Sequence, residues 1–85
     1  MPTSMFTDTY KVLVDVLVQA RKDAGVTQTE LGRRLGKGQK YVSVIETGVR
    51  RIDLIEFTAF AKALGRDPAA LYAEIVSALP ERIEI

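Results

Sequence analysis

Four glycines divide most of this 85-residue chain into short segments, and their spacing limits what the chain can fold into. Gly25, Gly36, Gly48 and Gly65 each follow a run whose apolar residues recur every three or four positions. That period is typical of one face of a helix, and a glycine directly after such a run is typical of a helix end. Only residues 82–85 alternate with a period of two, and there we expect an edge strand. The pattern predicts an all-α fold.

Five helices are expected. They cover residues 8–24, a second segment from Thr27 to Gly36, residues 39–47, a fourth segment from Asp53 to Gly65, and a fifth from Pro68 to the residue before Pro80. The apolar positions that the helical period turns toward one core are Tyr10, Leu13, Val14, Leu17, Ala20, Ala24, Leu31, Leu35, Val42, Ile45, Leu54, Phe57, Ala61 and Leu64. The apolar residues of the fifth helix are Leu71, Tyr72, Ile75, Val76 and Leu79.

Helix starts are marked as clearly as helix ends. Thr27 with Glu30, and Asp53 with Glu56, have the spacing of a capping box, in which side chain and backbone of the two residues exchange hydrogen bonds. Asp67 precedes a proline at the first helical position, where a missing N–H costs nothing. These signals support the helix boundaries.

The chain contains neither cysteine nor histidine. This excludes disulfides, zinc fingers, thiol nucleophiles and serine–histidine–aspartate triads, and we expect no metal and no cofactor. The carboxylates fall at caps, on surfaces and in one expected ion pair, so we nominate no catalytic residue and expect no enzyme. A chain this short often needs a further support for stability, and a partner chain is the one that remains.

The net charge of +1 hides an uneven distribution. Residues 21–51 hold eight basic and three acidic residues, a net of +5, whereas residues 52–85 hold three basic and six acidic residues, a net of −3. A basic region attracts phosphate locally whatever the rest of the chain carries. The low total is therefore compatible with a nucleic-acid partner.

Several segments of the chain match one known pattern, namely residues 25–36, 39–48, 50–51 and 61–65, followed by Pro68. With these segments the chain resembles the Cro/cI-type (XRE) helix-turn-helix family of prokaryotic and phage transcription regulators. The resemblance extends over roughly residues 10–76 and implies a five-helix, lambda-repressor-like DNA-binding domain with its helix-turn-helix in helices two and three. We expect this domain at residues 8–79, a flexible tail at 1–7, and a C-terminal tail at 80–85 that contacts a second copy or another partner.

In such a domain the third helix enters the major groove of double-stranded DNA. With Val42 and Ile45 turned inward, 100° per residue directs other side chains outward. The predicted base-reading residues are Gln39, Lys40, Ser43, Val44 and Thr47. The predicted phosphate-binding residues are Gln28, Arg33, Arg34, Lys37, Tyr41, Arg50 and Arg51.

The resemblance also implies two specific side-chain contacts. Gln28 should touch Gln39, and Arg21 should form a structural ion pair with Glu46. Two glycines depart from the family pattern. Gly32 stands where alanine is usual, which lowers helix propensity but permits close approach of helix three, and Gly38 stands where a serine or threonine cap is common.

A domain of this size gains affinity by binding two half-sites as a homodimer. The apolar residues expected at the dimer interface are Phe60, Tyr72, Ile75, Val76, Leu79, Ile83 and Ile85. We therefore predict a cytoplasmic, sequence-specific repressor of a palindromic operator, nucleoid-associated when bound to DNA. The alternative is an antitoxin-like interaction subunit whose acidic C-terminal end binds a protein partner while the helix-turn-helix provides autoregulation.

Overall fold

The computed structural model describes residues 7–85 and has the predicted all-α fold. Its helices are α1 (Asp8–Asp23), α2 (Gln28–Arg34), α3 (Gln39–Glu46), α4 (Leu54–Ala63) and α5 (Pro68–Ala78). Helix α3 packs on α1 and α2, while α5 packs on α1 and α4. Most of the expected N-terminal tail, residues 1–6, lies outside the described part of the chain.

The edge strand predicted for residues 82–85 is wrong, because no strand forms within residues 7–85. The C-terminal tail instead returns to the start of α1. There the backbone N–H of Glu84 donates to Thr9 Oγ1 at 3.2 Å, and the Thr7 hydroxyl lies 3.4 Å from the Glu84 carbonyl oxygen. Hydrogen bonding to α1 thus replaces the strand pairing that the alternation suggested.

Side-chain caps begin four of the five helices. Thr7, Thr27, Asp53 and Asp67 each accept a hydrogen bond from the backbone N–H three residues further on, at 2.7–3.0 Å. Helix α3 begins at Gly38, which offers no side-chain cap, as its sequence indicated. These bonds satisfy N–H groups that have no partner inside the helix.

Only one of the two predicted capping boxes is complete. At α4 the Asp53 carboxylate accepts from the Glu56 N–H, and the Glu56 carboxylate accepts from the Asp53 N–H at 3.0 Å. At α2 the Thr27 hydroxyl accepts from Glu30, but the Glu30 carboxylate turns to two arginines instead of returning to the backbone. The reciprocal half of the Thr27–Glu30 box is therefore wrong, because charged donors on the same helix compete for the carboxylate.

The core is formed as predicted except at the end of α1 and in α4. Leu31, Val42, Ile45 and Leu71 are completely buried. Ala24 is exposed at the end of α1, and Tyr72 and Val76 on α5 are about half exposed. The core prediction is wrong for Ala24, whereas Tyr72 and Val76 belong to the residues expected outside the core.

Helix α4 buries a different set of residues from the predicted one. Leu54, predicted as core, is the first residue of α4 and is 71% exposed, whereas the buried residues of this helix begin one turn later at Phe57. Phe60 is 1% exposed and packs with Phe57 and Ala61 in the core. Phe60 and Ile75, which is 2% exposed, are therefore wrong as dimer-interface residues.

The turn between α2 and α3 brings the two backbones into direct contact. Gly36 has φ of +69°, and the Lys37 N–H donates to the Gly32 carbonyl oxygen at 2.8 Å. A Cβ added to Gly32 would lie 2.5 Å from the Gly38 carbonyl oxygen and 3.1 Å from the Gln39 nitrogen. The first residues of α3 therefore rest on the one position of α2 that has no side chain.

This contact predicts that Gly32→Ala destabilises the fold, although alanine favours a helix by about 1 kcal/mol over glycine. Overpacking against backbone typically costs about 1–3 kcal/mol, so the free energy of unfolding should fall. Urea denaturation measures it. Gly38→Ser is the matched control, since nothing lies within 4 Å of its added Cβ and the serine can cap α3. A Gly32→Ala protein as stable as the wild type would contradict the prediction.

Candidate nucleic-acid interface

Helix α3 has one buried face and one outward face. Val42 and Ile45 are inaccessible to solvent and pack in the core. The five residues predicted to read bases lie away from that core. They are Gln39, Lys40 and Thr47, which are exposed, and Ser43 and Val44, which are half-buried.

A bidentate ion pair holds the C-terminal end of α3 against α1. Arg21 Nε donates to Glu46 Oε2 at 2.7 Å and Nη2 donates to Oε1 at 2.9 Å. Arg21 Nη1 also donates to the Val26 carbonyl oxygen at 2.9 Å, in the turn between α1 and α2. The Arg21 and Glu46 side chains are only 11% and 5% exposed. The pair thus joins α1, the following turn and α3 in a largely dry environment.

Gln28 connects this ion pair to the first residue of α3. Its Nε2 donates to Glu46 Oε1 at 2.8 Å, and its Oε1 accepts from Gln39 Nε2 at 2.7 Å. The two contacts expected separately from sequence, Arg21 with Glu46 and Gln28 with Gln39, are therefore parts of one hydrogen-bonded network. This Arg21–Glu46–Gln28–Gln39 network spans α3 from its last residue to its first.

Two of the predicted phosphate-binding arginines share a carboxylate. Arg33 Nη2 and Arg34 Nε donate to Glu30 Oε2 at 2.6 and 2.9 Å, which lowers the Glu30 pKa to about 2. Arg34 Nη1 also donates to the Ala63 carbonyl oxygen at 2.8 Å, tying α2 to the end of α4. Sequence reasoning missed this role of Glu30, although its separation of three and four residues from the arginines was the available signal.

A second carboxylate, Glu56 of α4, binds Tyr41 of α3 and Arg50 in the loop that follows α3. It accepts from Arg50 Nη1 at 2.9 Å and from the Tyr41 hydroxyl at 2.5 Å. The Arg50 hydrogen bond is the main cause that lowers the Glu56 pKa to about 2, while burial and then Glu56 raise the Tyr41 pKa to about 12. Lys37 Nζ lies 5.5 Å from the centre of the Tyr41 ring. No short-range spacing in the sequence signals this cluster.

Arg51, in the loop between α3 and α4, contacts α1. Its guanidinium stacks over the Tyr10 ring at 4.5 Å, and the Tyr10 hydroxyl accepts from the Ile52 N–H at 2.9 Å. The loop that follows α3 is thereby held to α1. Arg51, one of the predicted phosphate-binding residues, is thus held against Tyr10 of α1.

Residues 7–85 contain no cluster of acidic side chains arranged to hold a metal ion. Among the helices of this part of the chain, none has the length and apolar character needed to cross a membrane.

Comparison with known proteins agrees with this geometry. A sequence profile of helix-turn-helix domains matches residues 17–71, from the middle of α1 to the first turns of α5. The chain belongs to the XRE family of helix-turn-helix proteins. It is a DNA-binding transcription regulator, and regulators of this family are typically non-enzymatic.

Solved structures similar to this XRE-family chain include the "XRE-family like protein from Pseudomonas syringae pv. tomato str. DC3000". The two sequences are 44% identical, the TM-score is 0.78, and the alignment covers 85% of this chain and 88% of the other. No curated protein matches the chain at a significant level. The profile match includes all four residues of the Arg21–Glu46–Gln28–Gln39 network.

The buried ion pair predicts that Glu46→Ala strongly destabilises this XRE-family domain. Removing one partner leaves the Arg21 charge buried without its counterion, which typically costs about 3–5 kcal/mol. Glu74→Ala is the control, because it removes a carboxylate that pairs with Arg66 at the surface and should change stability by less than about 1 kcal/mol. Chemical denaturation of both variants is the measurement. Equal stability of Glu46→Ala and wild type would show that the pair does not hold α3.

The Glu56 cluster predicts an acid-dependent contribution to stability. The folded-state pKa of Glu56, about 2, lies below its ordinary value of 4.5, so its stabilising effect is complete above about pH 5 and is lost as the pH falls toward 2. Glu56→Gln should therefore be less stable than wild type at neutral pH, and the difference should shrink between about pH 5 and 2. Glu81→Gln, in the exposed C-terminal tail, is the control. A difference that stays constant with pH would contradict this origin.

Proposed function

We propose that this regulator inserts α3 into the major groove of a palindromic operator and represses transcription by occupying it as a homodimer. The proposed base-reading residues are Gln39, Lys40, Ser43, Val44 and Thr47. The observation that carries the proposal is the outward face of α3, whose first residue is held by hydrogen bonds that lead back to a buried ion pair. A side chain restrained before binding loses less entropy when it contacts a base.

The chemistry of the outward face suits base recognition. The Gln39 amide can pair with adenine through one donor and one acceptor, and Lys40 can donate to guanine O6 and N7. The Val44 methyls can pack on a thymine methyl, and Ser43 can meet a base or a phosphate. The Thr47 hydroxyl already donates to the Ser43 carbonyl oxygen at 2.8 Å, so it offers DNA its acceptor oxygen and its methyl group.

The proposed phosphate contacts lie on α2 and in the two loops that flank α3. Gln28 begins α2, where unpaired N–H groups favour an anion. Arg33 and Arg34 are held by the Glu30 carboxylate and Arg50 by the Glu56 carboxylate, which restrains their guanidinium groups. Lys37 and Arg51 complete the proposed set. Tyr41, expected from sequence to bind a phosphate, donates its single hydroxyl proton to Glu56 and is left out of the set. Such contacts set the register on DNA without selecting sequence.

The proposed dimer interface uses the apolar residues that the domain leaves uncovered. Tyr72 and Val76 on α5, and Ile83 in the tail, are about half exposed, while Ile85 is 95% exposed. Leu79 is half-buried between them. A two-fold arrangement of residues 8–79 through this surface would present two α3 helices to half-sites about 34–36 Å apart. In this proposal the protein acts in the cytoplasm, on the nucleoid when bound.

Lys40→Ala should change base preference without a general decrease in DNA binding. Selection from a random duplex pool, followed by affinity measurements at several salt concentrations, compares the variant with Lys62→Ala, which removes an exposed lysine from α4. Removing a guanine contact should cost about 1–3 kcal/mol at one operator position only. Equal decreases in affinity for specific and random duplexes would refute the base-reading role of Lys40.

Val76→Glu should weaken self-association, because it puts a charge on the proposed apolar interface. Sedimentation at micromolar concentrations compares it with Ile55→Glu, which puts the same charge on another exposed apolar position, 78% exposed. We expect wild type and Ile55→Glu to dimerise and Val76→Glu to shift toward monomer, with weaker operator binding. A wild-type protein that remains monomeric at high micromolar concentration would remove the dimer from the proposal.

A further inference from the structure

We infer that Glu46, acting through Gln28, fixes the direction of the Gln39 amide and thereby makes Gln39 selective for adenine. Glu46 is a positioning residue, buried at the core-facing side of α3, and never touches DNA itself. The inference rests on the proposed function, since it takes Gln39 to be a base-reading residue.

The direction of the network is set at its buried end. The Glu46 carboxylate accepts two hydrogen bonds from Arg21, and a carboxylate in such an ion pair only accepts hydrogen bonds. Gln28 must therefore turn its Nε2 toward Glu46 Oε1, at 2.8 Å. Its amide cannot turn over without placing an oxygen against the carboxylate. Gln28 thus presents its Oε1 on the opposite side.

The orientation of the Gln28 amide in turn fixes the orientation of the Gln39 amide. Gln28 Oε1 only accepts, so Gln39 must turn its Nε2 toward it, at 2.7 Å. One N–H of Gln39 is used in this bond. The second N–H and the Oε1 remain on the outward edge of the amide, with the donor nearer Gln28 and the acceptor further away. The free edge of the Gln39 amide therefore presents one donor and one acceptor in a fixed order.

This ordered pair matches one base edge in the major groove. Adenine offers the acceptor N7 beside the donor N6, which the Gln39 donor and acceptor can meet together. Guanine offers two acceptors in the same positions, so the Gln39 oxygen would face guanine O6. An unrestrained amide could turn over to suit whichever single donor or acceptor a base presents. The network removes that freedom and leaves adenine as the best fit.

The test uses duplexes selected from a random pool by the wild-type protein. Gln39→Ala first identifies the base pair whose preference it abolishes, and that position is then made with each of the four bases. Affinities are measured for wild type, Gln28→Met and Glu46→Gln. Gln19→Met is the matched control, because Gln19 Nε2 also donates to a carboxylate, Asp23, at 2.8 Å, but it lies on α1 outside the network.

Wild type and Gln19→Met should prefer adenine by about 5- to 150-fold, the range of a good paired contact. In Gln28→Met the preference should fall below about fivefold, mainly through weaker binding of the adenine duplex. If Gln28 also binds a phosphate, its removal weakens binding to all four duplexes equally and leaves this ratio unchanged. In Glu46→Gln the neutral amide no longer dictates the direction of Gln28, so the ratio should fall as in Gln28→Met.

The outcomes separate the inference from the function on which it rests. If Gln39→Ala abolishes the base preference while folded Gln28→Met keeps the wild-type ratio, the inference is wrong and base reading by Gln39 stands. A folded Glu46→Gln protein with the wild-type ratio would also overturn it. If Gln39→Ala changes the preference at no position, the proposed role of Gln39 fails and the inference fails with it. Thermal unfolding of each variant shows whether it is folded, and Gln28→Met leaves the ion pair in place should Glu46→Gln not fold.

Discussion

The bidentate contact between Arg21 and Glu46 is the interaction on which the rest of the interface depends. It is the only ion pair in residues 7–85 whose side chains are both nearly buried, and the remaining five pairs lie at the surface. Without it, the C-terminal end of α3 would rest on its neighbours mainly through the apolar contacts of Val42 and Ile45, which are less directional than a bidentate ion pair. The charged contact specifies one position, and Gln28 extends that position to Gln39 at the other end of the helix.

A second constraint acts at the opposite end of α3, where backbone meets backbone. The space above Gly32 is occupied by the carbonyl of Gly38, so the first turn of α3 lies closer to α2 than a side chain would permit. Helix α3 has only eight residues and no side-chain cap, and its own propensity cannot hold it in place. Its position is therefore determined by tertiary contacts at both ends.

The fold could be predicted from sequence because its signals are local. Glycines at helix ends, capping side chains and the apolar period correctly indicated five helices and most of the core. The errors occur where a neighbour decides the outcome. Leu54 has the right period but is exposed in the first turn of α4, and Phe60 is buried by the neighbouring helices. The alternation in residues 82–85 has no partner strand within residues 7–85.

The interface could be predicted only in part, because several of its contacts depend on how neighbouring helices pack. The outward residues of α3 follow from helix geometry once Val42 and Ile45 are known to be inside. The pairs Arg21 with Glu46 and Gln28 with Gln39 came from family resemblance, and nothing in their spacing indicated that they join. The hydrogen bonds from Tyr41 and Arg50 to Glu56 depend on how α3 and α4 pack, which no short-range pattern encodes.

The most direct test of the proposed recognition is the structure of the protein bound to a duplex selected from a random pool. We predict that α3 lies in the major groove with the Gln39 amide about 2.7–3.2 Å from the N6 and N7 atoms of an adenine. We also predict that the bonds of Gln28 to Glu46 and Gln39 persist in the complex. A complex in which α3 faces solvent, or in which Gln39 contacts a base only after leaving Gln28, would contradict this mode of recognition.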